Sequence, residues 1–327
     1  MTTDMFQRIA SEFDLGTLLC EPTRVYGGLL HISYKLTTEK GVYMVKLFGK
    51  PKDKKALDRF RKVDELEEVF KKNKVKAIYC LRFNGSGFQV LDGEVFYIFP
   101  WQEGWKSIHG VDSTKSQCKK IAKLTAQIHS IDMYKSEPDY RPLNIDWRYY
   151  LDLAKKSKSE IYKEFKDSIE MLEELCEKAK IYGPQIPSVK AVAHNDMDGK
   201  NVLWKGRHYR LIDLECLCYT NPYMEVYRNA LNWAGYEQSQ IDIEKYKVFL
   251  KTYFRHVKLD KNVDFNALYY GSAIGYEWLE FSLKRALKLV GDDKEEQDLG
   301  VAQTKLTISQ IRHFYEQKDN ILSAFER

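Results

Sequence analysis

The sequence contains no run of about 18 uncharged apolar residues, and its first ten residues carry no basic segment followed by an apolar core. The first absence argues against a membrane-spanning helix, and the second argues against a signal peptide. Its six cysteines are scattered without a C-x-x-C pair, so neither a zinc site nor a disulfide framework is indicated. A protein of this kind is expected in the reducing cytoplasm.

The charge is also unremarkable, because 52 basic residues face 47 acidic residues and leave a net charge of +5. Such a small excess over 327 residues does not indicate binding to nucleic acid or to an anionic membrane. Hydrophobic residues make up 44% and aromatic residues 13%, which excludes an intrinsically disordered chain. The length is sufficient for two lobes, each with its own core.

The first hundred residues show mostly strand patterns. Two or three short strands are predicted within residues 24–48, and another is predicted over 77–83. An Asp92-Gly93 pair between the apolar segments 88–91 and 94–99 predicts a tight hairpin. This part of the sequence therefore predicts a small antiparallel β-rich lobe over residues 1–100.

From Pro100–Gly104 onward the pattern becomes helical. A Thr-x-x-Gln capping box at Thr114 begins the first of these helices, and short strands are expected only within residues 191–214. We therefore predict an α+β fold with a second, larger and mostly helical lobe over residues 101–327. Further helices are predicted at about 147–181, 243–257, 265–289 and 297–325.

One helix of the β-rich lobe, predicted at about 55–72, carries an acidic residue within its apolar stripe. On a helical wheel Glu67 falls inside that stripe, whereas Glu65 points the other way. Lys46 lies in an apolar strand, where a charged group costs free energy unless it has a partner. Glu67 and Glu65 are both candidates for that partner, and the sequence does not decide between them.

The most informative segment is H-x-D-x-x-x-x-N at His194–Asn201, followed by Asp213 at the end of an apolar run. Phosphoryl transfer from ATP requires one Asp to take or orient the proton of the attacking hydroxyl, and an Asn and a second Asp to hold Mg²⁺. The spacing therefore predicts Asp196 as catalytic base and Asn201 and Asp213 as metal ligands. ATP, or another nucleoside triphosphate, and Mg²⁺ are the predicted cofactors.

Glu215 lies two residues after Asp213 and would share its face if the segment were a strand. We include Glu215 with the predicted metal ligands, and the alternative is that it anchors the loop. His194 is expected to hold the loop by a hydrogen bond. Lys200 and Asp198 are expected to be solvated loop charges, although Lys200 could reach a phosphate or the acceptor.

These residues resemble the aminoglycoside phosphotransferase and choline kinase family of small-molecule kinases. The resemblance spans about residues 25–254, and it implies a two-lobed protein-kinase-like fold and an ATP-dependent kinase. G-x-G-x-x-G, D-F-G and A-P-E are absent, which argues against a protein kinase. The motifs that carry the resemblance are H-x-D-x-x-x-x-N with the following Val-Leu-Trp, Ile212-Asp213-x-Glu215, Asn221-Pro222-x-x-Glu225, and the helix Leu124…His129.

The resemblance also implies where the nucleotide would bind. Gly27-Gly28 looks like the phosphate loop, and Lys46 would contact the α- and β-phosphates. The carbonyl of Pro100 and the amide of Gln102 would read the adenine. His31 stands where relatives often carry Asn, so the side-chain contact of that position is not carried over.

The expected acceptor is a small hydroxylated molecule bound by the helical lobe. Aromatic and acidic side chains would suit a cationic acceptor through ion pairing and cation–π contact, and a neutral sugar or alcohol is the alternative. The competing function is a kinase-like nucleotide-binding or spore-coat-type structural protein without turnover. The candidate acceptor residues are Trp233, Tyr236, Tyr276, Glu277, Trp278 and Glu280.

Overall fold

The chain divides into two compact units in a computed structural model. Unit 1 comprises residues 1–107 together with 194–218, and unit 2 comprises 108–193 together with 219–327. The segment that carries the predicted catalytic residues thus packs with the β-rich unit. The functional division at residue 100 into a nucleotide lobe and an acceptor lobe stays a prediction. The structure describes residues 3–26, 31–51, 53–138, 140–291 and 293–324.

The described strands form three separate sheets. In unit 1 a five-stranded sheet has the order β1-β2-β3-β5-β4, and β8 and β9 form a hairpin. A second sheet has the order β10-β7-β6. In chain order the strands are β1 (Thr23–Val25), β2 (Ile32–Thr38), β3 (Gly41–Gly49), β4 (Phe88–Leu91), β5 (Glu94–Pro100), β6 (Met133–Lys135), β7 (Val189–Ala193), β8 (Val202–Lys205), β9 (His208–Leu211) and β10 (Cys218–Thr220).

The helices confirm the predicted change from strands to helices along the chain. The predicted run over 147–181 is divided into three helices, and most of the other runs are also interrupted. In chain order they are α1 (Thr3–Glu12), α2 (Lys54–Lys72), α3 (Lys115–His129), α4 (Trp147–Lys156), α5 (Tyr162–Lys166), α6 (Ile169–Tyr182), α7 (Pro222–Ala234), α8 (Ile243–Tyr253), α9 (Phe265–Gly271), α10 (Tyr276–Ala286), α11 (Lys294–Glu316) and α12 (Lys318–Ser323). No helix of the described ranges is both long and apolar enough to cross a membrane.

Local sequence signals set several of these boundaries. Asp92 (φ 52°) and Gly93 (φ 81°) both adopt positive φ, as a two-residue hairpin turn requires, and they join β4 to β5. Thr114 accepts a hydrogen bond from the N–H of Gln117, whose side chain returns to the Thr114 N–H, so the predicted capping box begins α3. Both predictions are confirmed, because each signal acts between neighbours in the chain.

The predicted strand over residues 77–83 does not form. Ala77 makes a single parallel bridge to Leu211, whereas the N–H of Leu81 donates to the carbonyl of Ile98 at 2.7 Å. The backbone hydrogen bonds of this segment go first to Leu211 of β9 and then to Ile98 of β5. It therefore belongs to no continuous ladder, and the apolar pattern that predicted a strand reflects burial between two partners.

One core cluster of unit 1 joins three strands of the five-stranded sheet to α1. Leu36, Val45 and Ile98 come from β2, β3 and β5, and they pack with Phe6 and Ile9 of α1. Burial of each such side chain stabilises the fold by roughly 1.5–3 kcal/mol. This packing fixes β3, the strand that carries Lys46.

Unit 2 is held together partly by a buried polar cluster between three helices. His129 Nε2 lies 2.6 Å from a carboxylate oxygen of Glu225, and His129 Nδ1 lies 2.6 Å from the hydroxyl of Tyr253. Asn221 caps α7 and Pro222 occupies its first turn. In the Asn-Pro-x-x-Glu motif, Asn221 and Pro222 therefore begin α7, and Glu225 contacts His129 of α3.

Candidate active site

The predicted catalytic loop is held by backbone contacts within unit 1. The ring of His194 is buried, and its Nε2 donates to the carbonyl of Ile212 at 2.8 Å. Asn195 adopts a left-handed conformation with φ of 65°, which turns the chain after the histidine. The expected structural role of His194, holding the loop by a hydrogen bond, is confirmed.

Asp196 and Asn201 are joined directly. The Asn201 side-chain amide donates to the Asp196 carboxylate at 2.8 Å and to the Asp196 carbonyl at 2.8 Å. Both N–H bonds of that amide are directed to oxygen atoms, so the amide orientation is fixed and its own oxygen points elsewhere. The Asp196 side chain is 40% exposed, so a ligand can reach it.

A backbone hydrogen bond of 2.9 Å from the Ile212 N–H to the Asn201 carbonyl places Asp213 beside the same loop. Asp213 is left-handed (φ 60°, ψ 51°), and residues Leu214–Cys216 form a 3₁₀ turn. The assumption that Asp213 and Glu215 lie on one strand is therefore wrong. The left-handed residue and the tight turn nevertheless bring both carboxylates to one partner.

That partner is Lys46. Its side chain is buried in β3, and its Nζ lies 3.0 Å from Asp213 Oδ2 and also binds Glu215 Oε1. Neither α2 carboxylate proposed from the sequence takes this position. Glu67 is buried as predicted but accepts hydrogen bonds from the Cys80 N–H at 3.1 Å and from its thiol at 3.3 Å, and Glu65 is exposed.

No local pattern predicts this pairing, because Lys46 and Glu215 lie 169 residues apart. The only available signal was negative: a lysine in an apolar strand must have a partner. Glu65 and Glu67 were both candidates for that partner. The packing of the 3₁₀ turn instead places Glu215 beside Lys46.

The charges of the three side chains are coupled. Burial lowers the pKa of Lys46, but the charges and hydrogen bonds of Glu215 and Asp213 outweigh burial and raise it overall, so the ammonium stays protonated. Burial and the nearby charge of Asp213 raise the pKa of Glu215, against the opposing effect of Lys46. Lys46 is therefore a cation at neutral pH. The charge of Lys46 in turn favours the ionised form of its partner Glu215.

His31 lies next to this cation. Burial, followed by the charge of Lys46, lowers the pKa of His31 to about 4. Its ring packs against Phe48 with centroids 4.1 Å apart. His31 is therefore neutral at neutral pH and does not add to the positive charge of the site. The predicted phosphate loop, Gly27-Gly28, lies outside the described residues.

The predicted adenine contacts lie where β5 ends. The Pro100 carbonyl accepts a hydrogen bond from the Gln102 side-chain amide at 3.1 Å, and the Trp101 N–H donates to the Val42 carbonyl at 3.0 Å. The first contact occupies one lone pair of the carbonyl that was assigned to adenine, and a second lone pair remains. Adenine recognition by Pro100 and Gln102 stays a prediction.

Several candidate acceptor residues are structural in unit 2. Trp233, Tyr236 and Tyr276 are buried in the core, so these rings present almost no surface to a substrate. The prediction for these three is wrong because aromatic side chains most often bury their large apolar surface. The carboxylate of Glu280 accepts from the Tyr150 hydroxyl at 2.7 Å and lies 2.9 Å from Lys284 Nζ.

The remaining two acceptor candidates differ in exposure. Glu277 is exposed. Trp278 is half-buried and stacks near Phe281 with ring centroids 5.5 Å apart. Exposure alone does not assign a substrate contact to Glu277 or Trp278.

The oxygen donors near the loop fit Mg²⁺ in chemical type. Two carboxylates and one amide oxygen are hard ligands, and Mg²⁺ usually takes one or two carboxylates and completes its shell with water and phosphate. Among the described residues no three His, Cys, Asp or Glu side chains converge as a self-sufficient metal cluster. Metal binding by Asn201, Asp213 and Glu215 stays a prediction.

The buried Glu67 leads to a prediction about stability. Burial raises the pKa of Glu67, against the opposing hydrogen bond from Cys80. A carboxyl group with a raised folded-state pKa stabilises the fold below its ordinary pKa, and this contribution is lost as the pH rises through the folded-state pKa. Glu67→Gln should therefore become more stable relative to wild type as the pH rises from about 4 to about 8.

Urea unfolding at several pH values measures this difference. Gln keeps an oxygen that can accept from the Cys80 N–H, so the hydrogen bond is preserved. Glu65→Gln makes the same chemical change on an exposed position of α2 and is the matched control. A stability difference between Glu67→Gln and wild type that does not change with pH would contradict the prediction.

Comparison with known proteins places this geometry in context. A family model described as the phosphotransferase enzyme family matches residues 23–249. Comparison with curated protein sequences gives no significant match.

Solved structures of small-molecule kinases share the fold. A spectinomycin phosphotransferase in complex with ADP and spectinomycin is 14% identical, with a TM-score of 0.66 over 99% of this chain and 98% of that chain. A choline kinase from Cryptosporidium parvum is 16% identical, with a TM-score of 0.55 over 98% and 97%. An amicoumacin kinase in complex with AMP-PNP and Ca²⁺ is 12% identical, with a TM-score of 0.57 over 94% and 96%.

The fold is thus the protein-kinase-like fold of small-molecule kinases, with an antiparallel β-rich part and a mostly helical part. The matched segment includes Lys46, Asp196, Asn201 and Asp213, the residues that lie together in unit 1. The family model covers well over half of the chain, and the chain therefore belongs to the phosphotransferase enzyme family.

Proposed function

We propose that the protein is an ATP- and Mg²⁺-dependent kinase that transfers the γ-phosphoryl group to a hydroxyl of a small molecule. The acceptor would be an aminoglycoside-like antibiotic, a choline-like amino alcohol or a related metabolite. The observation that carries this proposal is that Asn201 bonds Asp196 and, through its carbonyl, the N–H of Ile212, whose neighbour Asp213 pairs with Lys46.

Lys46 would bind the phosphates. Its ammonium is buried and permanently charged, and a cation in a low-dielectric site interacts with phosphate more strongly than one in bulk water. Asn201 and Asp213 would hold the metal through oxygen atoms. When bound, Mg²⁺ neutralises charge that develops on the phosphate oxygens during transfer.

Asp196 would orient the acceptor hydroxyl and take its proton. The acceptor oxygen forms a bond to the γ-phosphorus while the bond to the β–γ bridging oxygen breaks, so ADP leaves and the proton passes to the carboxylate. The hydrogen bond from Asn201 fixes Oδ2 of Asp196, while Oδ1 lies 4.0 Å from Lys200 Nζ. This division suits a base that must not rotate during the reaction.

The solved relatives support nucleotide and divalent-cation use. One was crystallised with ADP and its spectinomycin substrate, and another with AMP-PNP and Ca²⁺. These relatives are named as a spectinomycin phosphotransferase, a choline kinase and an amicoumacin kinase, which motivates the acceptor classes above. With identities of 12–16% these structures support the fold and not a particular acceptor.

The competing function is a nucleotide-binding or structural relative without turnover. ADP release in the presence of Mg·ATP, measured against a panel of aminoglycosides, amino alcohols and neutral polyols, distinguishes the two. We expect acceptor-dependent ADP release with at least one class. ATP binding by calorimetry with no acceptor-dependent release across all three classes would favour the competing function.

The same panel tests the charge of the acceptor. Cationic acceptors should show KM values that rise with ionic strength, because exposed charge pairs are screened within about 8–10 Å at ordinary salt. A neutral polyol should show little change.

The location of the protein in the cytoplasm stays a prediction.

A further inference from the structure

Lys46 receives its carboxylate partners from one turn, Asp213–Cys216, and not from helix α2. We propose that Glu215 is the positioning residue that holds Lys46 for phosphate contact, a role that rests on the proposed nucleotide site. Glu215 would act through Lys46 and would touch neither nucleotide nor metal. This differs from the expectation that Glu215 is a third metal ligand.

The burial of the two carboxylates separates their roles. The Asp213 side chain is 30% exposed, whereas that of Glu215 is 12% exposed. A ligand can therefore approach Asp213 more readily than Glu215. If Asp213 engages a divalent cation, that cation and Lys46 repel each other, and the carboxylate of Glu215 is then the group that keeps Lys46 in place.

Helix α2 cannot supply a substitute in this arrangement. The Glu67 carboxylate is held by the N–H and thiol of Cys80 and lies 3.8 Å from Lys71 Nζ. Glu65 is exposed. Helix α2 packs instead against the Leu214–Cys216 turn, and this packing helps to hold the turn that carries Glu215.

The turn itself is built to deliver Glu215. Asp213 is left-handed, which reverses the chain direction, and Leu214 is buried and anchors the turn in unit 1. The N–H of Leu217 donates to the Leu214 carbonyl at 3.0 Å and closes the turn. A rigid turn pre-organises the carboxylate, so little conformational entropy is lost when Lys46 binds it.

The two roles for Glu215 predict different behaviour without metal. A positioning residue affects nucleotide binding through Lys46 whether or not metal is present. A metal ligand affects only the metal-dependent part of binding. Nucleotide affinity in EDTA therefore discriminates between them, and it does not require turnover.

The experiment is a double-mutant cycle of Lys46→Met and Glu215→Gln, with ADP binding measured by calorimetry in EDTA and in Mg²⁺. Met fills the apolar strand position without charge, and Gln keeps the shape of Glu215. Glu215→Gln should weaken ADP binding in EDTA roughly tenfold, since a hydrogen bond to a charged group contributes about that factor. In the Lys46→Met background the same change should have little further effect. Glu65→Gln is the matched control and should bind ADP as wild type does.

Three outcomes overturn the proposal. Unchanged ADP affinity in EDTA combined with a higher Mg²⁺ requirement would identify Glu215 as a metal ligand. Additive losses in the double variant would mean that Glu215 does not act through Lys46. Unchanged ADP affinity in Lys46→Met would remove the nucleotide site itself, so failure of the proposed function is distinguishable from failure of this inference.

Folding is checked for every variant by its thermal midpoint. If Glu215→Gln does not fold, Glu215→Asp carries the same test, because it keeps the charge but withdraws it by one methylene. A loss of ADP affinity in EDTA with Glu215→Asp that disappears in the Lys46→Met background supports the positioning role. A loss that persists in that background overturns it.

Discussion

Asp196→Asn should lower the turnover number by roughly 10² to 10⁴-fold while ATP binding stays close to that of wild type. The change removes the group proposed to take the acceptor proton. Asn can still accept the hydrogen bond that Asn201 donates at 2.8 Å, so the loop should keep its conformation. Steady-state kinetics with a hit from the acceptor panel, together with calorimetry for ATP, measure the two effects separately.

Asp14→Asn is a suitable control for this variant. It makes the same chemical change in unit 1 on a side chain that is exposed, and Asp14 has φ of 52°, a conformation that Asn tolerates. Its turnover should equal that of wild type. Wild-type turnover in Asp196→Asn would remove Asp196 from the proposed chemistry. A parallel loss of turnover and ATP affinity would instead indicate a distorted site.

Asp213→Asn should weaken Mg²⁺-dependent nucleotide binding by more than roughly 100-fold, because loss of outer-shell partners alone commonly costs 10–100-fold in metal affinity. Asn is preferable to Ala here. Asp213 has φ of 60°, where Ala is strained and Asn is tolerated, so the variant isolates the charge from the backbone. Titration of Mg²⁺ at fixed ATP, followed by calorimetry, measures the loss.

The same variant should behave differently without metal. Removing the Asp213 charge leaves Lys46 held by Glu215, the more buried of its two partners, so ADP binding in EDTA should stay close to that of wild type. An unchanged Mg²⁺ requirement would place the metal elsewhere. A loss of ADP binding in EDTA as large as the loss in Mg²⁺ would indicate that Asp213 holds the fold of the site and not the metal.

The parts of the fold that the sequence predicted depend on short-range chemistry. The Asp92-Gly93 hairpin and the Thr114 capping box form because residues two or three positions apart make the decisive hydrogen bonds. The segment that carries Asp196 and Asn201 is also organised by a short-range contact, since these two residues lie five positions apart and contact each other directly.

The errors arose where side chains chose partners far along the chain. The segment 77–83 was predicted as a strand, but it bonds first to β9 and then to β5, which no local pattern encodes. Three aromatic residues were predicted to contact the acceptor because aromatic rings suit a cationic ligand. All three are core residues of unit 2: Trp233, Tyr236 and Tyr276. Aromatic composition alone does not separate a binding surface from a packed interior.

The sequence by itself determined the family signature, the loop that carries Asp196 and Asn201, and the presence of a lysine that needs a partner in an apolar strand. Only the tertiary structure decided that this partner is Glu215 and not Glu67. The reason is physical: the pairing depends on a left-handed Asp213 and a buried 3₁₀ turn that carry Glu215 to Lys46 across 169 residues. Short-range propensity cannot specify such a contact, because it forms only when the turn, β3 and α2 have packed together.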